Sequence, residues 1–447
     1  MNPSPSPQSP DAWSAPRASA PLHSVLQLPG SKSLTNRELV LSALASGTST
    51  LRRPLHSRDS VLMLEGLKAL GARVEEQAGD GSFGPDLIVT PGTATGDVSI
   101  DVGLAGTAMR FLPFVAALSN ATAHFDGDPH ARMRPMQETI DSLRALGASV
   151  DDNGSGTLPF TVHGSGAIDG GELTIDASRS SQFVSALLLA APRFTHGLTL
   201  VHRGDRLPSL PHIEMTLATL RARGVSATSL SESVWRVEPG EIAGASVEIE
   251  PDLSNAAPFL AAPLVAGGSV TIDGWPAETT QVGALLPELL TRLGADAHVA
   301  DGRCTVSADA GFLQGHRFTG GALDLSHAGE LSPTFAALGA VCETPLTITG
   351  IGHTRGHETD RLEAMQSNLA RLGIECTTTH ETVTVHPADA ASIRPAEWEA
   401  YADHRIATSG AVLGLAFELA VDDIEATSKT IPEFAELWTS MAGTGVA

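Results

Sequence analysis

The sequence predicts an α/β protein of two domains, each built from three repeated units. The main observation is a motif that occurs six times: a helical segment ends in Leu-x-x-Leu-Gly-Ala, or in a variant of it, and a short strand follows. A near-constant period of this kind is typical of repeat architectures. The second observation is length, because 447 residues exceed what a single core usually contains. The marker glycines of the six copies are spaced by 70 to 79 residues: Gly71, Gly147, Gly224, Gly294, Gly373 and Gly443.

The elements of one copy follow from local rules. Apolar residues recur at helical spacing, as in Leu362, Met365, Leu369 and Leu372. A glycine then adopts the left-handed conformation that ends a helix, and a β segment such as 382–386 comes next. Each unit therefore has roughly βαβαββ content. The midpoint of the series follows the strand predicted over 246–250. A βα-barrel of similar length would share part of this pattern.

Composition and charge narrow the class of protein. The formal net charge of −23 argues against a nucleic-acid or acidic-membrane partner, since both require a basic surface. No apolar run is long enough to cross a membrane, so we expect a cytoplasmic protein. Residues 1–21 are rich in proline and serine and are predicted to form a disordered tail. Three widely spaced cysteines are predicted to be buried and reduced: Cys304, Cys342 and Cys376.

The segment 28–37, Leu-Pro-Gly-Ser-Lys-Ser-Leu-Thr-Asn-Arg, is the most informative stretch of the chain. Its Lys32 is one of three lysines, against 25 arginines. A lysine kept inside a Gly/Ser loop suggests a place that needs a compact ammonium. With Ser33 and Arg37 beside it and a helix behind it, the loop has the groups that bind an anion. An ordinary loop before a helix is the alternative.

Three further segments place cations or hydroxyls at predicted helix starts. Residues 103–110 form a second Gly-containing loop, with Arg110 one turn inside the helix. Residues 132–135, Arg-Met-Arg-Pro, precede a helix predicted to start near Pro135. Residues 178–182 open a helix predicted over 183–191. Anion binding and plain helix capping both explain these segments.

Residues 350–361 form the densest polar stretch, after a strand predicted over 346–349. Its glycines resemble a dinucleotide-binding loop, but Glu358 and Asp360 would repel a pyrophosphate. His353 and His357 suggest zinc, although no third ligand is evident. Near the end of the chain, Asp-His-Arg at 403–405 precedes an apolar helix predicted over 407–419, and Ser-Lys-Thr follows at 428–430.

Together, these segments resemble the 5-enolpyruvylshikimate-3-phosphate synthase family, the 3-phosphoshikimate carboxyvinyltransferases of aromatic amino-acid biosynthesis. Seven motifs in order carry the resemblance: LPGSKSLTNR at 28–37, AGTAMR at 105–110, RMRP at 132–135, SRSSQF at 178–183, HETDR at 357–361, DHR at 403–405 and SKT at 428–430. The implied fold is a two-domain inside-out α/β barrel with three repeats per domain. Its first strand belongs to the second domain, which gives domains of 32–250 and of 22–31 plus 251–447. The implied active site lies in the cleft between them.

The resemblance also implies a role for each site residue. Those that bind phosphoenolpyruvate would be Lys32, Gly106, Arg134, Gln182, Arg361, Arg405 and Lys429. Those that bind shikimate 3-phosphate would be Lys32, Ser33, Arg37, Ser180, Ser181, Gln182, Ser209, Glu330 and His357. Catalysis would fall to Lys32 and to two proton-transfer carboxylates, Glu330 and Glu358. Departures from the commonest family pattern include His357, which stands where lysine is usual.

The implied reaction is transfer of the enolpyruvyl group to the 5-hydroxyl of shikimate 3-phosphate through a tetrahedral intermediate, with release of phosphate. It needs neither cofactor nor metal, and we expect a monomer that glyphosate inhibits. One alternative is the sister enolpyruvyl transferase that acts on UDP-N-acetylglucosamine, which usually carries a reactive cysteine on a mobile loop. The others are a nicotinamide-dependent dehydrogenase that uses Gly350–Gly356 and a non-catalytic sugar-phosphate sensor.

Overall fold

The computed structural model describes residues 12–79, 81–204 and 207–443. These residues form two compact units. We call Pro29–Glu250 the central unit, and the described parts of Met1–Leu28 and Pro251–Ala447 the terminal unit. The division falls after Leu28, three residues before the boundary expected from the resemblance. Each unit has its own apolar core, built mainly from leucine, valine, alanine and phenylalanine.

The terminal unit contributes the first two strands of the chain, β1 (Trp13–Ser14) and β2 (Leu22–Leu26). The strands of the central unit are β3 (Ser49–Arg52), β4 (Arg73–Gln77), β5 (Asp86–Thr90), β6 (Thr95–Asp101), β7 (Asn120–Asp126), β8 (Ser149–Asp151), β9 (Phe160–His163), β10 (Gly171–Ile175), β11 (Leu198–His202), β12 (Ala227–Ser231), β13 (Val234–Val237) and β14 (Ser246–Glu248). Its helices are α1 (Lys32–Leu44), α2 (Arg58–Ala69), α3 (Gly106–Ala117), α4 (Gln137–Ala145), α5 (Ser181–Ala190) and α6 (Leu210–Ala222).

The chain then returns to the terminal unit. The remaining strands are β15 (Gly268–Asp273), β16 (Asp296–Ala300), β17 (Arg303–Ala308), β18 (Gly321–Asp324), β19 (Leu346–Thr349), β20 (Cys376–Thr378), β21 (Val383–Val385), β22 (Ala396–Trp398) and β23 (Leu419–Val421). The remaining helices are α7 (Ala257–Ala266), α8 (Leu286–Arg292), α9 (Ser332–Gly339), α10 (Arg361–Arg371), α11 (His404–Gly414) and α12 (Phe434–Gly443).

The sheets repeat one topology, which confirms the predicted α/β class. In the described chain, five sheets have four strands in the orders β14-β3-β5-β4, β6-β7-β9-β8, β10-β11-β13-β12, β2-β15-β17-β16 and β18-β19-β21-β20. In every one, the first pair is parallel and the next two pairs are antiparallel. Parallel neighbours require a crossover helix, and antiparallel neighbours need only a short turn. The sheets that contain β6, β10 and β18 are therefore contiguous βαβαββ repeats, while in the other two sheets the parallel outer strand, β14 or β2, comes from a distant part of the chain.

The first crossover helix of each repeat is buried and the second is amphipathic. In the central unit, α1, α3 and α5 pack against one another, and α7, α9 and α11 do the same in the terminal unit. Five of the six marker glycines follow the second helices with φ between +81° and +104°, in the left-handed region predicted for them: Gly71, Gly147, Gly224, Gly294 and Gly373.

The sixth sheet corrects the prediction of a disordered tail over residues 1–21. It contains β22 and β23 in parallel, and β1 pairs antiparallel with β23 in the place that a strand of the same repeat takes in the other sheets. The backbone N–H of Ala15 also donates to the carbonyl of Leu419 at 3.0 Å. Ala15 is buried against Gly414, where a larger side chain would clash. The rest of the predicted tail, residues 1–11, lies outside the described residues.

Several predicted helix boundaries also differ from the structure. The helix predicted over 407–419 is α11, which begins three residues earlier at His404, directly after its cap Asp403, and ends at Gly414. Leu419 instead begins β23. The helix expected near Pro135 begins at Gln137. At the C-terminal end of α11 the apolar pattern extends beyond the helix because the next element, β23, is buried as well.

The three cysteines are buried and free, as predicted. Burial raises the pKa of each thiol to about 12, so these side chains stay protonated and pack as small apolar groups. Among the described residues, no helix is both long and apolar enough to span a bilayer.

A buried ion pair joins α1 to the C-terminal end of α6 in the central unit. Arg223 donates to Glu38 Oε2 at 2.6 and 3.0 Å, and its other donors reach two serines and a carbonyl. Burial raises the pKa of the Glu38 carboxyl overall, although Arg223 lowers it. Such a pair adds little net stability, but loss of one partner leaves an uncompensated buried charge.

We therefore expect Glu38→Gln to lower the free energy of unfolding of the central unit by about 3 kcal/mol in urea titrations. The matched control is Glu214→Gln, since Glu214 pairs with Arg221 at 2.7 Å with its side chain 49% exposed. An exposed pair contributes less than about 1 kcal/mol. Equal effects of the two substitutions would contradict the assignment of Glu38 and Arg223 as a structural pair.

Candidate active site

The N-terminal ends of the three buried helices of the central unit lie together. Three side-chain hydrogen bonds of 2.7–3.1 Å join their first two turns in pairs: Asn36 to Thr107, Arg110 to Gln182 and Arg37 to Ser185. The first turn of a helix presents unpaired backbone N–H groups and the positive end of the helix dipole. Three such ends in one place favour anionic ligands. We call these six residues, together with Lys32, Gly106 and Arg134, the central cluster.

Lys32 is the first residue of α1, and Ser31 caps the helix by accepting from the N–H of Leu34. Its Nζ lies 3.5 Å from Oδ2 of Asp59, which is in the first turn of α2. The Asp59 side chain is 6% exposed and that of Lys32 is 19% exposed. The ammonium is therefore held from one side by a buried carboxylate and remains partly open to solvent.

Gly106 begins α3, and its missing side chain makes room for two guanidinium groups. A Cβ atom at this position would lie 3.0 Å from Arg110 Nη1 and 3.1 Å from Arg134 Nη2. Arg134 donates through Nη1 to the carbonyl of Leu104 at 3.2 Å, while its buried Nε has no hydrogen-bond partner among the described residues. By contrast, Arg132 pairs with Asp126 at the surface. Of the two arginines in the 132–135 motif, Arg134 is thus the one at the central cluster.

Gly106→Ala tests this geometry. Contacts of 3.0–3.1 Å are tighter than ordinary carbon–nitrogen contacts, so the added methyl should displace the Arg134 guanidinium by a few tenths of an ångström. We expect the affinity for an anionic ligand bound at Arg134 to fall about tenfold while the melting temperature changes little. Gly47→Ala is the control, since a Cβ there would meet nothing within 4 Å. An unchanged affinity would exclude a role for the Gly106–Arg134 contact in binding.

The serine motif at 178–183 forms the start of α5. Ser180 is its cap and accepts from the N–H of Gln182 at 3.2 Å, and Ser181 is buried. Ser209 precedes α6 in the left-handed region, with φ +55°. Plain capping thus explains Ser180, but Gln182 also accepts from Arg110 at 2.7 Å, which fixes its amide beside Gly106.

Arg37 is 3% exposed and is already bonded within the central unit. It donates to the carbonyls of Ser33 and His212 and to the side chains of Thr216 and Ser185, at 2.8–3.1 Å. In this arrangement Arg37 fixes α6 and α5 against α1. Contact with a ligand would require it to exchange some of these bonds.

The terminal unit repeats the arrangement at the starts of α7, α9 and α11. Arg405, in the first turn of α11, donates to the carbonyl of Ser254, just before α7, at 2.6 Å. Its Nη2 also lies 3.8 Å from Oε1 of Glu330, just before α9. Asp403 caps α11 by accepting from the N–H of Arg405 at 2.8 Å. The Arg405 guanidinium therefore connects the starts of α7, α9 and α11, which belong to three different repeats.

Arg361 begins α10 and is nearly completely buried. It makes two bonds to Asp403, at 2.7 and 3.2 Å, and one to Glu358 at 3.2 Å, and its Nη1 lies 3.2 Å from His357 Nδ1. Burial lowers the pKa of the guanidinium, but Asp403 and Glu358 raise it more, so the net shift is upward. Lys429 donates to the other oxygen of Glu358 at 2.6 Å.

These residues form a second polar group, the terminal cluster, in which three cations alternate with three carboxylates. Its members are Arg361, Arg405 and Lys429 with Glu330, Glu358 and Asp403. The cations suit anionic ligands and the carboxylates are positioned to exchange protons. The sequence motifs had named all of these residues except Asp403 as site residues. In the central unit, Asp59 was not predicted either, because its partner Lys32 is remote in sequence.

The two other interpretations of residues 350–361 receive no support from the structure. Residues 352–356 form a single 3-10 turn, and α10 begins only at Arg361, so the glycines do not open a helix as a dinucleotide loop requires. The rings of His353 and His357 lie 5.8 Å apart in an edge-to-face arrangement. Among the described residues, no group of three or more metal-ligating side chains is suited to a metal ion.

Comparison with known proteins identifies the family. The model of the EPSP synthase family, described as 3-phosphoshikimate 1-carboxyvinyltransferase, matches residues 16–438. The chain belongs to this family. A 3-phosphoshikimate 1-carboxyvinyltransferase of Kocuria rhizophila is 50% identical over 440 residues, which cover 97% of each chain.

Solved structures share the fold of the EPSP synthase family at lower identity. EPSP synthase from Acinetobacter baumannii matches with a TM-score of 0.77 and 22% identity, over 96% of this chain and 98% of that one. The enolpyruvyl transferase NikO from Streptomyces tendae matches with a TM-score of 0.74 and 17% identity, over 97% of this chain and 98% of that one. At these identities the likeness supports the two-unit repeat architecture.

Proposed function

We propose that this protein transfers the enolpyruvyl group of phosphoenolpyruvate to the 5-hydroxyl of shikimate 3-phosphate and releases phosphate. The observation that carries the proposal is the terminal cluster, where three cations and three carboxylates meet around the starts of α9, α10 and α11. Family membership and the 50% identical carboxyvinyltransferase support the same activity.

The substrates explain why so many cations are needed. Together they bring two phosphates and two carboxylates to the reacting centre, so their mutual repulsion must be offset by fixed positive groups. We assign phosphoenolpyruvate to Lys32, Gly106, Arg134, Gln182, Arg361, Arg405 and Lys429. We assign shikimate 3-phosphate to Lys32, Ser33, Arg37, Ser180, Ser181, Gln182, Ser209, Glu330 and His357. Both sets draw on both clusters, so neither unit is expected to act alone.

Ion pairs within the clusters suggest how the free enzyme keeps its cations in place. Lys429 and Arg361 share Glu358, and Arg405 lies near Glu330. An arriving anion competes with these carboxylates for the same donors. Release of a carboxylate from its cation makes it a stronger base, because a nearby positive charge is what stabilises the ionised form. Substrate binding would thereby prepare Glu330 and Glu358 for proton transfer.

The chemical steps balance with those two carboxylates alone. The 5-hydroxyl loses its proton to a base as its oxygen attacks C2 of phosphoenolpyruvate, and C3 gains a proton from an acid to become a methyl group. The tetrahedral intermediate then loses that methyl proton and expels phosphate, which restores the carbon–carbon double bond. We assign the base and the acid to Glu330 and Glu358 as a pair. No electron is transferred and no water is added, so the steps require no redox cofactor.

The decisive experiment is release of phosphate from phosphoenolpyruvate, measured with and without shikimate 3-phosphate. We expect turnover to depend strictly on both substrates. UDP-N-acetylglucosamine should not replace shikimate 3-phosphate, and nicotinamide absorbance should stay constant in the presence of NAD or NADP. Phosphate release from phosphoenolpyruvate with UDP-N-acetylglucosamine in place of shikimate 3-phosphate would favour the sister transferase. Tight binding of shikimate 3-phosphate without turnover would favour a sensor.

We further expect the enzyme to be a monomer by light scattering.

We expect the affinity for shikimate 3-phosphate to depend on pH, because His357 stands where lysine is usual in the family. An imidazole titrates near pH 6.5, whereas a lysine keeps its charge to about pH 10. The protonated ring binds an anion better, so the affinity for shikimate 3-phosphate should fall as pH rises from 6 to 8. In His357→Lys the affinity should change much less over this range. Calorimetric titrations at several pH values test this, and equal slopes for the two proteins would contradict it.

A further inference from the structure

A cavity of about 480 Å³ lies in the terminal unit, away from the residues of the terminal cluster. Its walls are formed by Arg17 after β1, by the segment from Phe312 to Arg317, by residues 390–395, and by residues 416–418 between α11 and β23. This volume is in the range of small-molecule binding sites. No step of the proposed reaction uses it.

Helix α11 separates the cavity from the terminal cluster. Arg405 is in the first turn of the helix, while Ala416 of the cavity wall lies two residues beyond its last residue, Gly414. Eleven residues of α-helix span about 16 Å. The cavity is thus a second site at the opposite end of an element that carries a proposed substrate-binding residue.

The lining of the cavity is mainly positively charged, although the chain as a whole is strongly acidic. Its lining contains three arginines, Arg17, Arg317 and Arg394, and one carboxylate, Glu418. Arg317 donates to the carbonyls of Cys342 and Ala388 at 3.1 and 2.7 Å, and Arg17 donates to that of Ala416 at 3.3 Å. Carbonyls fix these side chains without neutralising them. Within the described part of the chain, none of the three forms an ion pair, so their charge is available to an anion.

The apolar part of the lining is aromatic. The rings of Phe312 and Phe417 meet edge to face with centroids 5.5 Å apart, and the Arg317 guanidinium lies over Phe312 at 5.0 Å. Leu313 adds an exposed apolar side chain at the same segment. The exposed edges and faces of such rings favour contact with another planar ring. The chain has an aromatic content of only 4%, so two rings in one cavity are a concentrated apolar surface.

We propose that this cavity binds a small aromatic carboxylate, whose ring lies against Phe312 and Phe417 and whose carboxylate pairs with Arg317 and Arg394. Both halves of the ligand are required, because the guanidinium groups recognise the anion and the phenyl rings recognise the flat apolar part. Arg17 ties the N-terminal segment to this site, so an occupied cavity should also hold β1 more firmly against β23.

Isothermal titration of the full chain with 3-phenylpropanoate tests the proposal, with propanoate and 3-phenylpropanol as probes that lack the ring and the charge. We expect saturable binding of the aromatic carboxylate at one site and at least about tenfold weaker binding of either probe. Hydrogen exchange of the backbone amides of 13–18 should slow when the ligand is bound. Equal affinities for the three compounds, or no saturation at millimolar concentration, would overturn the proposal.

Substitutions test whether 3-phenylpropanoate binds in this cavity. Phe312→Leu and Arg394→Met should each weaken 3-phenylpropanoate binding about tenfold, while Lys32→Ala should leave it unchanged. Arg394 is exposed, so its replacement should leave the fold and the turnover of the enzyme intact. Arg292→Met, at an exposed arginine of α8, is the matched control and should bind normally. Loss of binding in Lys32→Ala, or normal binding in both cavity variants, would place the ligand elsewhere and refute the assignment.

Discussion

Lys32→Ala is expected to lower kcat/KM by about 10³-fold or more. The ammonium is fixed at the start of α1 beside the buried carboxylate of Asp59, and it remains partly exposed for a ligand. A positioned cation that stabilises developing charge typically contributes a factor of 10²–10³ in rate, and loss of a binding contact adds to that. Steady-state kinetics with both substrates varied gives the separate changes in kcat and KM.

Stability controls distinguish this effect from unfolding. The Lys32–Asp59 pair is long, at 3.5 Å, and its ammonium is partly exposed, so we expect its removal to cost about 1 kcal/mol, or a few degrees in melting temperature. Lys68→Ala is the matched control, since Lys68 is an exposed lysine that pairs with Glu65 on the surface of α2. Lys32→Arg retains the charge but not the compact shape, and we expect it to recover only part of the activity. Turnover unchanged in Lys32→Ala would refute the assigned role.

Glu330→Gln and Glu358→Gln are each expected to lower kcat by 10²–10⁴-fold, the usual contribution of a general acid or base. The two differ in their surroundings. Glu358 bonds both Arg361 and Lys429, so its replacement should also raise the KM for phosphoenolpyruvate. Glu330 lies 3.8 Å from Arg405 and is assigned to shikimate 3-phosphate, so its replacement should lower kcat and raise the KM for that substrate rather than the KM for phosphoenolpyruvate. Comparing kcat with KM for the two variants therefore separates proton transfer from the positioning of cations.

A neighbouring carboxylate provides the control for these variants. Glu363 lies in the first turn of α10, two residues after Arg361, and is exposed. Glu363→Gln removes the same charge five residues after Glu358 and should leave kcat within about twofold, since a screened surface charge has little effect. If all three variants lost activity equally, a general loss of negative charge would explain the result and the proton-transfer roles would be wrong.

The repeat was predictable because its signals are local. A glycine at the end of each second helix and a strand soon after it are set by neighbouring residues, and five of the marker glycines have the left-handed conformation expected of them. Helix caps such as Ser31 and Ser180 are local in the same way. Many residues of the two clusters were also named from sequence, because they lie in short motifs that are mostly at helix starts, although Asp403 was not among them.

The partners of those residues were not predictable, since they are remote in sequence. Arg361 meets Asp403 across 42 residues, and Lys429 meets Glu358 across 71. The same limit explains the missed strand β1, whose two residues lie in a Pro/Ser-rich segment and are ordered by a partner near the other end of the chain. Burial of Arg37 among bonds to α5 and α6 likewise depends on how three repeats meet.

The pairing of β1 and β2 with much later strands has a consequence for biosynthesis. During translation β1 and β2 emerge from the ribosome before the central unit, yet their partners β23 and β15 are made after it. The central unit contains every strand of its three sheets and can fold as soon as residue 250 has emerged. β2 must stay unpaired until β15 has been made, and β1 until β23 has been made, so closure of the terminal unit is a late, long-range event in the synthesis of the chain.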